Sequence, residues 1–299
     1  MDSKDFQLLA ALYENARQSY RSLGHRTSLS APAARGRLQA LESKGIIQGY
    51  WVSPDPSIFR RQDLLAFYDR QWTRSDALRA LAVQDVAWVA WKVDGGLTVQ
   101  VWPQSRKEPI EDLTRVLKEP PFEQAWVDHP PREDISLIDW RIIEALLDHP
   151  RIELQGLCDS THLSPKTVRK HLGTLIREEA VYISPKIGSL ADSGEVIYHL
   201  AVTGDVSLNE LRRTLGDLVL VNEAHEPSMK YLLCRANDLA DVTSRIQAAN
   251  ELPGVGSVRV TLNRELLVAN GFVHRLVREE SGIWRRLGNR TTLTCEEMT

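Results

Sequence analysis

One helical pattern occurs twice in this chain, at a constant offset of 134 residues and without a gap. The first copy starts at Asp5 and reads DFQLLAALYENARQSYRSLGHRTSLSAPAARGRLQALESKGII. The second starts at Asp139 and reads DWRIIEALLDHPRIELQGLCDSTHLSPKTVRKHLGTLIREEAV. Leu12 aligns with Leu146, Arg17 with Arg151, Leu23 with Leu157, Thr27 with Thr161, Ser30 with Ser164 and Leu38 with Leu172. A duplication of this length constrains the fold strongly, because both copies must solve the same packing problem. In each copy the apolar spacing and the breaks predict helix, helix, tight turn, helix. That is the framework that lays its last helix into a groove of duplex DNA.

Each copy is followed by a β-rich stretch. GIIQGYWVSPDPSIF and AVYISPKIGSLADSG carry β-branched and aromatic residues and then Pro or Gly, which predicts a short wing and a connector. The period then changes from helical to alternating. In the first half, strands are expected over 64–71, 86–93, 97–102 and 122–127, with helices over 75–83 and 109–117. Asp94-Gly95-Gly96 is the hairpin turn between the middle strands. The second half repeats the order: strands over 196–203, 218–224, 229–235 and 257–263, helices over 208–215 and 239–250. The expected class is α+β, two winged helix-turn-helix domains alternating with two ferredoxin-like βαββαβ domains. The boundaries are set at 1–60, 61–131, 132–192 and 193–265, with a C-terminal extension over 266–299. In that extension Val268, Phe272 and Leu276 have the spacing to pack on the body.

The third helix of each module carries the candidate site. Ser30 and Ser164 stand where a helix needs its N-cap, and Pro32 and Pro165 suit the first turn. Ala34, Leu38 and Leu41 fall on one face, as do Val168, Leu172 and Leu175. The opposite face offers Ala31, Arg35 and Gln39 in the first module and Lys166, Thr167, Arg169 and Lys170 in the second. Arg and Gln make paired hydrogen bonds to guanine or adenine edges, and Lys mainly meets phosphate. Arg21, Arg26, Thr27 and Ser28 precede the first of these helices, in the stretch that touches backbone phosphates in such folds; Thr161 is the counterpart of Thr27. The partner expected is double-stranded DNA.

Composition permits this. The net charge of −3 is not that of a uniformly basic binder, so the basic surface has to be local. No apolar run reaches the roughly 18 residues of a membrane span, and MDSKDFQLL lacks the basic start and apolar core of a signal peptide. The expected location is cytoplasmic. Cys158, Cys234 and Cys295 show no metal spacing and no close pair, which fits a reducing compartment. No P-loop, zinc spacing, nucleophile elbow or dinucleotide glycine pattern is present. No cofactor, no metal site and no enzymatic activity are expected.

Ser30-x-x-Ala33-Ala34-x-x-Arg37-Leu38-x-x-Leu41-Glu42-x-x-Gly45-Ile46-Ile47 resembles the Lrp/AsnC (feast/famine) transcription regulators. Asp2-x-x-Asp5 and Asn15-Ala16-Arg17 also look like that family's first helix and following turn. The second module departs from the pattern at His171, Ile176 and Glu179. The resemblance implies a winged helix-turn-helix joined to a βαββαβ sensing domain, twice over. It also implies a small-molecule effector near the hairpin turn, where Gly95 matches and Thr98 replaces the family's Asp; in the second copy Pro227 and Lys230 stand at those positions. Each half resembles one family subunit, so the chain is expected to form an internal pseudo-dimer and to assemble further as a homo-oligomer, a dimer of pseudo-dimers. Five tryptophans crowd the first sensing domain: Trp72, Trp88, Trp91, Trp102 and Trp126. Trp88 and Trp91 have opposite parity and so face opposite sides of their sheet, the open side being a packing surface between sheets. The alternative reading is an enzyme resembling the sirohaem decarboxylases, also fused Lrp/AsnC-like halves. It would draw on His129, His199, His225, Tyr68, Tyr198 and Tyr231 converging between the sensing domains.

Overall fold

The computed structural model describes residues 1–130, 135–188 and 196–282. The first head consists of α1 (Ser3–Glu14), α2 (Tyr20–Thr27), α3 (Ala31–Ser43) and the strand β1 (Ile47–Pro54). A capping box between Asp2 and Asp5 starts α1. Ser19 and Ser30 cap α2 and α3 through their hydroxyls. The second head repeats this with α6 (Leu137–Asp148), α7 (Leu154–Thr161), α8 (Pro165–Arg177) and β6 (Val181–Ile187). Ser136 and Asp139 form its capping box, and Ser164 caps α8.

The wings differ from expectation. Each head contributes one strand, and β1 pairs antiparallel with β6 of the other head. Tyr50 sits opposite Pro185 and Trp51 opposite Ser184. Since Ser184 is the counterpart of Tyr50 and Pro185 that of Trp51, a pseudo-twofold axis passes between these two pairs. This is the reciprocal contact of an isologous dimer, made within one chain. A strand leaving a helical head has unpaired edges, and the duplicated strand satisfies one of them.

Two ferredoxin-like sheets follow. The first contains β2 (Asp63–Tyr68), β3 (Val86–Lys92), β4 (Leu97–Val101) and β5 (Glu123–Val127), covered on one face by α4 (Arg74–Leu81) and α5 (Glu111–Leu117). The second contains β7 (Val196–Gly204), β8 (Leu218–His225), β9 (Ser228–Ala236) and β10 (Val255–Thr261), covered by α9 (Leu208–Leu215) and α10 (Leu239–Asn250). The second sheet runs β10-β7-β9-β8, and the first contains the matching order β5-β2-β4-β3. One strand was not anticipated: β11 (Asn263–Val268) continues from β10 and adds to the free edge of β3. The boundary expected at 265 is therefore wrong, because β11 crosses it and belongs to the first sheet. The boundaries expected at 131 and 192 adjoin or lie in segments outside the described residues, as do Cys295 and the rest of the extension from 283 onward.

One core joins these parts. It runs through both heads, the β1–β6 pair and the inner faces of the two sheets. Trp88 belongs to it, whereas Trp91 lies on the helix-covered side, as the strand parity requires. Each head rests on the other half's territory or close to it. Phe6 of α1 packs on Ile197, Val219 and Leu233 of the second sheet. Its counterpart Trp140 lies 5.5 Å from the Phe59 ring, which follows β1. Residues 270–282 are helical and fill the space beside it: Phe272 lies 5.9 Å from Trp102, and Leu276 and Val277 are buried.

Candidate nucleic-acid interface

The two third helices are built alike. Ser30 Oγ accepts from Ala33 N–H at 3.3 Å and Ser164 Oγ from Thr167 N–H at 3.2 Å. Each bond satisfies one of the backbone donors a helix start leaves free. Ala34, Leu38 and Leu41 are buried under α3, and Val168 and Leu175 under α8, with Leu172 half-buried. That fixes which side faces outward. Arg35, Gln39, Lys166, Arg169 and Lys170 are all exposed, and Ala31 and Thr167 are half-exposed. Arg35 and its counterpart Arg169 occupy the same outward position, with Arg35 lying 5.9 Å over the Tyr20 ring.

A staple holds each third helix to the first. Arg37 Nη1 donates to Asp2 at 2.8 Å and to Asp5 at 2.9 Å. In the second head His171 Nδ1 meets Asp139 at 2.8 Å. The Arg-to-His departure from the family pattern thus keeps the contact. The turn after the helix is kept as well: Gly45 has φ +69° and Glu179 has φ +55°. Glycine adopts this left-handed backbone freely, and glutamate does so at a cost. Ile176, which replaces the pattern's Glu, packs on the shared core.

Two expected contacts are corrected. Thr27 and Thr161 are 1% and 2% exposed. Their hydroxyls donate to the carbonyls of Leu23 and Leu157 inside their own helices, so neither is presented to a phosphate. Of the other flanking residues, Arg21 and Ser28 are exposed, Ser28 at the left-handed end of α2. Arg26 is exposed too but is paired with Glu14 at 2.5 Å.

The proposed effector positions do not converge. Gly95 is buried in the hairpin turn against Gln71, and Thr98 is fully buried on β4. Among the residues of the alternative reading, the structure brings only His199 and Tyr231 together. Their rings stack at 5.3 Å between the sheets, with the Asn263 amide 3.5 Å from His199. Burial and the nearby Lys92 push the His199 imidazole down to about 4. Lys92 is itself lowered by burial to about 8. His225 is exposed, and Tyr68 and Tyr198 lie under the helices of their own sheets.

His129, named from the sequence only for the enzyme reading, has a pairing that the sequence did not reveal. Its Nδ1 lies 2.9 Å from Asp55 and its Nε2 2.9 Å from Asp63, both carboxylates being almost fully buried. Asp55 follows the first head, Asp63 opens β2 and His129 follows β5, so the imidazole ties three segments of the first half. Burial alone would depress its pKa, but the two carboxylates outweigh it and raise it to about 9. Asp55 is lowered in turn, despite its burial, by His129 and by Ser57. Complete burial holds Asp63 above the ordinary carboxylate range.

The described residues include no helix long and apolar enough to cross a membrane. A model of the winged helix-turn-helix DNA-binding family matches the chain twice, over residues 1–48 and 135–181. Parts of the chain are similar to HTH-type transcriptional regulators of the Lrp kind. An HTH-type transcriptional regulator of Mycobacterium tuberculosis, Rv2324, is 40% identical over 55 residues, covering 18% of this chain and 37% of that one. The regulator LrpB of Bacillus subtilis is 28% identical over 97 residues, 32% of this chain and 65% of its own. The chain thus spans between about a third and two thirds of the lengths of these relatives. Among solved structures, the siroheme decarboxylase NirDL covers 92% of this chain and 97% of its own at 12% identity, with a TM-score of 0.49. That likeness is too loose to carry an argument about chemistry.

Proposed function

We propose that this chain is an Lrp/AsnC-type, sequence-specific DNA-binding transcription regulator whose two unequal heads engage duplex DNA together. The observation that carries the reading is the repeated outward face. Arg35 and Arg169 stand at the same position of two serine-capped helices, exposed and stapled from behind. The named activity of the relatives, HTH-type transcriptional regulation, supports it. A cytoplasmic location, effector binding and association into a dimer of pseudo-dimers belong to the same proposal. The enzyme reading has less support. His199 is 9% exposed and Tyr231 3%, so a macrocycle reaches neither unless the sheets part.

A gel-shift titration of wild type, Arg35→Ala and Arg169→Ala tests the proposal. Each substitution is expected to weaken binding, and wild-type affinity is expected to fall steeply between 50 and 200 mM salt, in the manner of phosphate contacts. Unchanged binding in both variants would remove these helices from the interface.

A further inference from the structure

We propose that the two heads divide the work: the first reads base edges through Arg35 and Gln39, and the second grips the phosphate backbone through Lys166 and Lys170. This rests on the DNA-binding reading above. The duplication allows a position-by-position comparison of the two outward faces. Arg35 has Arg169 as its counterpart, so that cation is common to both. Elsewhere the faces differ. Pro32 is matched by Lys166, Gly36 by Lys170, and Gln39 by Gly173.

Each difference pushes in one direction. In the first head the outward face of α3 is small and nearly uncharged around Arg35, with Ala33, Gly36 and Ala40 exposed beside it. A Cβ built on Gly36 meets nothing within 4 Å, so the helix backbone can approach a groove floor closely. Gln39 then stands one turn beyond Arg35 on the same stripe. Paired contacts to guanine and to adenine are what these two side chains make best. The first head keeps its flanking cations off this helix: Arg21 and Arg26 are on α2, and Arg37 is consumed by Asp2 and Asp5.

In the second head the arrangement is reversed. Gly173 has no side chain to read with at the position of Gln39. The counterparts of Arg21 and His25 are Gln155 and Asp159, which bond each other at 2.8 Å. The charge has moved onto α8 instead. Among the described residues, the side chains of that helix that meet a carboxylate are His171 at Asp139 and Arg177 at Glu178. Lys166, Arg169 and Lys170 are left exposed and without a carboxylate among the described residues. A lysine ammonium is a hydrated point charge on a flexible stem, suited to phosphate and poor at telling bases apart. The DNA site that follows has one informative half and one permissive half.

Selection from a random duplex library separates these roles, using wild type, R35A/Q39A and K166A/K170A full-length proteins, followed by salt titration on a selected and a scrambled duplex. All four positions are exposed, so thermal melting is expected to be unchanged and serves as the folding control. Wild type is expected to enrich a motif with information in one half-site. K166A/K170A should keep that motif, lose affinity for both duplexes by the same factor, and show a log–log salt slope shallower by about 1.8, two phosphate contacts at about 0.9 each. R35A/Q39A should lose about tenfold or more of the preference for selected over scrambled duplex. Two equally informative half-sites, or a lysine variant that changes the motif without weakening scrambled binding, would overturn the division of labour. Failure of wild type to retain any duplex would overturn the DNA-binding reading itself.

Discussion

At the scale of single residues, the polar contacts that hold the heads in place are ionic and partly buried, so pH reaches them. His129 is the clearest case. Its pKa rises from 6.5 to about 9 on folding because it lies between Asp55 and Asp63. A group that binds its proton more tightly when folded contributes its full stabilisation below its unfolded pKa and loses it as pH rises through the folded one. The stabilisation that comes from the His129 proton is therefore complete below about pH 6.5 and lost as pH rises through about 9. Asp55, lowered on folding, acts on the other flank: its contribution is lost as pH falls below its unfolded value of 3.8. His129→Gln is expected to cost on the order of 3 kcal/mol at pH 6, with the gap to wild type narrowing towards pH 10. Chemical denaturation at both pH values measures it, and a gap that stays constant would contradict a charged bridge. The bridge was not legible in the sequence, because His129 lies more than sixty residues from both aspartates and none of the three belongs to a motif. Thr27 and Thr161 failed for a related reason. Residue type and position suggested a phosphate contact, but a threonine on an inward helical face bonds its own preceding turn.

At the scale of elements, helices, caps and buried stripes were readable because their rules are local. Ser30 and Ser164 cap where their spacing placed them, and Thr73 and Ser207 cap α4 and α9 by the same rule. Strand partners were less readable. β1 looked like half of a local wing, yet its partner β6 lies in the other copy. β11 has no counterpart in the first half and completes a sheet formed by residues far earlier in the chain. A strand advertises that it needs an edge and does not say which. The turns after the third helices give a sharp test of how far the second copy has drifted. Glu179 occupies a left-handed conformation that its counterpart Gly45 adopts freely. Glu179→Gly should relieve about 1–2 kcal/mol of backbone strain, less the extra chain entropy of glycine, for a net gain of about 0.5–1 kcal/mol. A melting temperature that falls would show that the exposed Glu179 side chain contributes more than its backbone costs.

At the scale of the whole molecule, the duplication creates within one chain what a homodimer builds from two. The β1–β6 pair sits on the pseudo-twofold axis, Phe6 anchors the first head on the second sheet, and helix 270–282 packs into the core beside the second head. The asymmetry of the C-terminal segment means that the axis relates the folds and not the sequences, consistent with two heads of different chemistry on a common frame. The central claim is that one chain presents both third helices to the same duplex. Hydroxyl-radical footprinting on a selected duplex, at a protein-to-DNA ratio of one chain per site, tests it directly. The account predicts two protected tracts on one face of the DNA, separated by about 10 base pairs or a multiple of it, with Arg35→Ala weakening one tract and Arg169→Ala the other. A single tract, or two that appear only when a second chain binds, would contradict it.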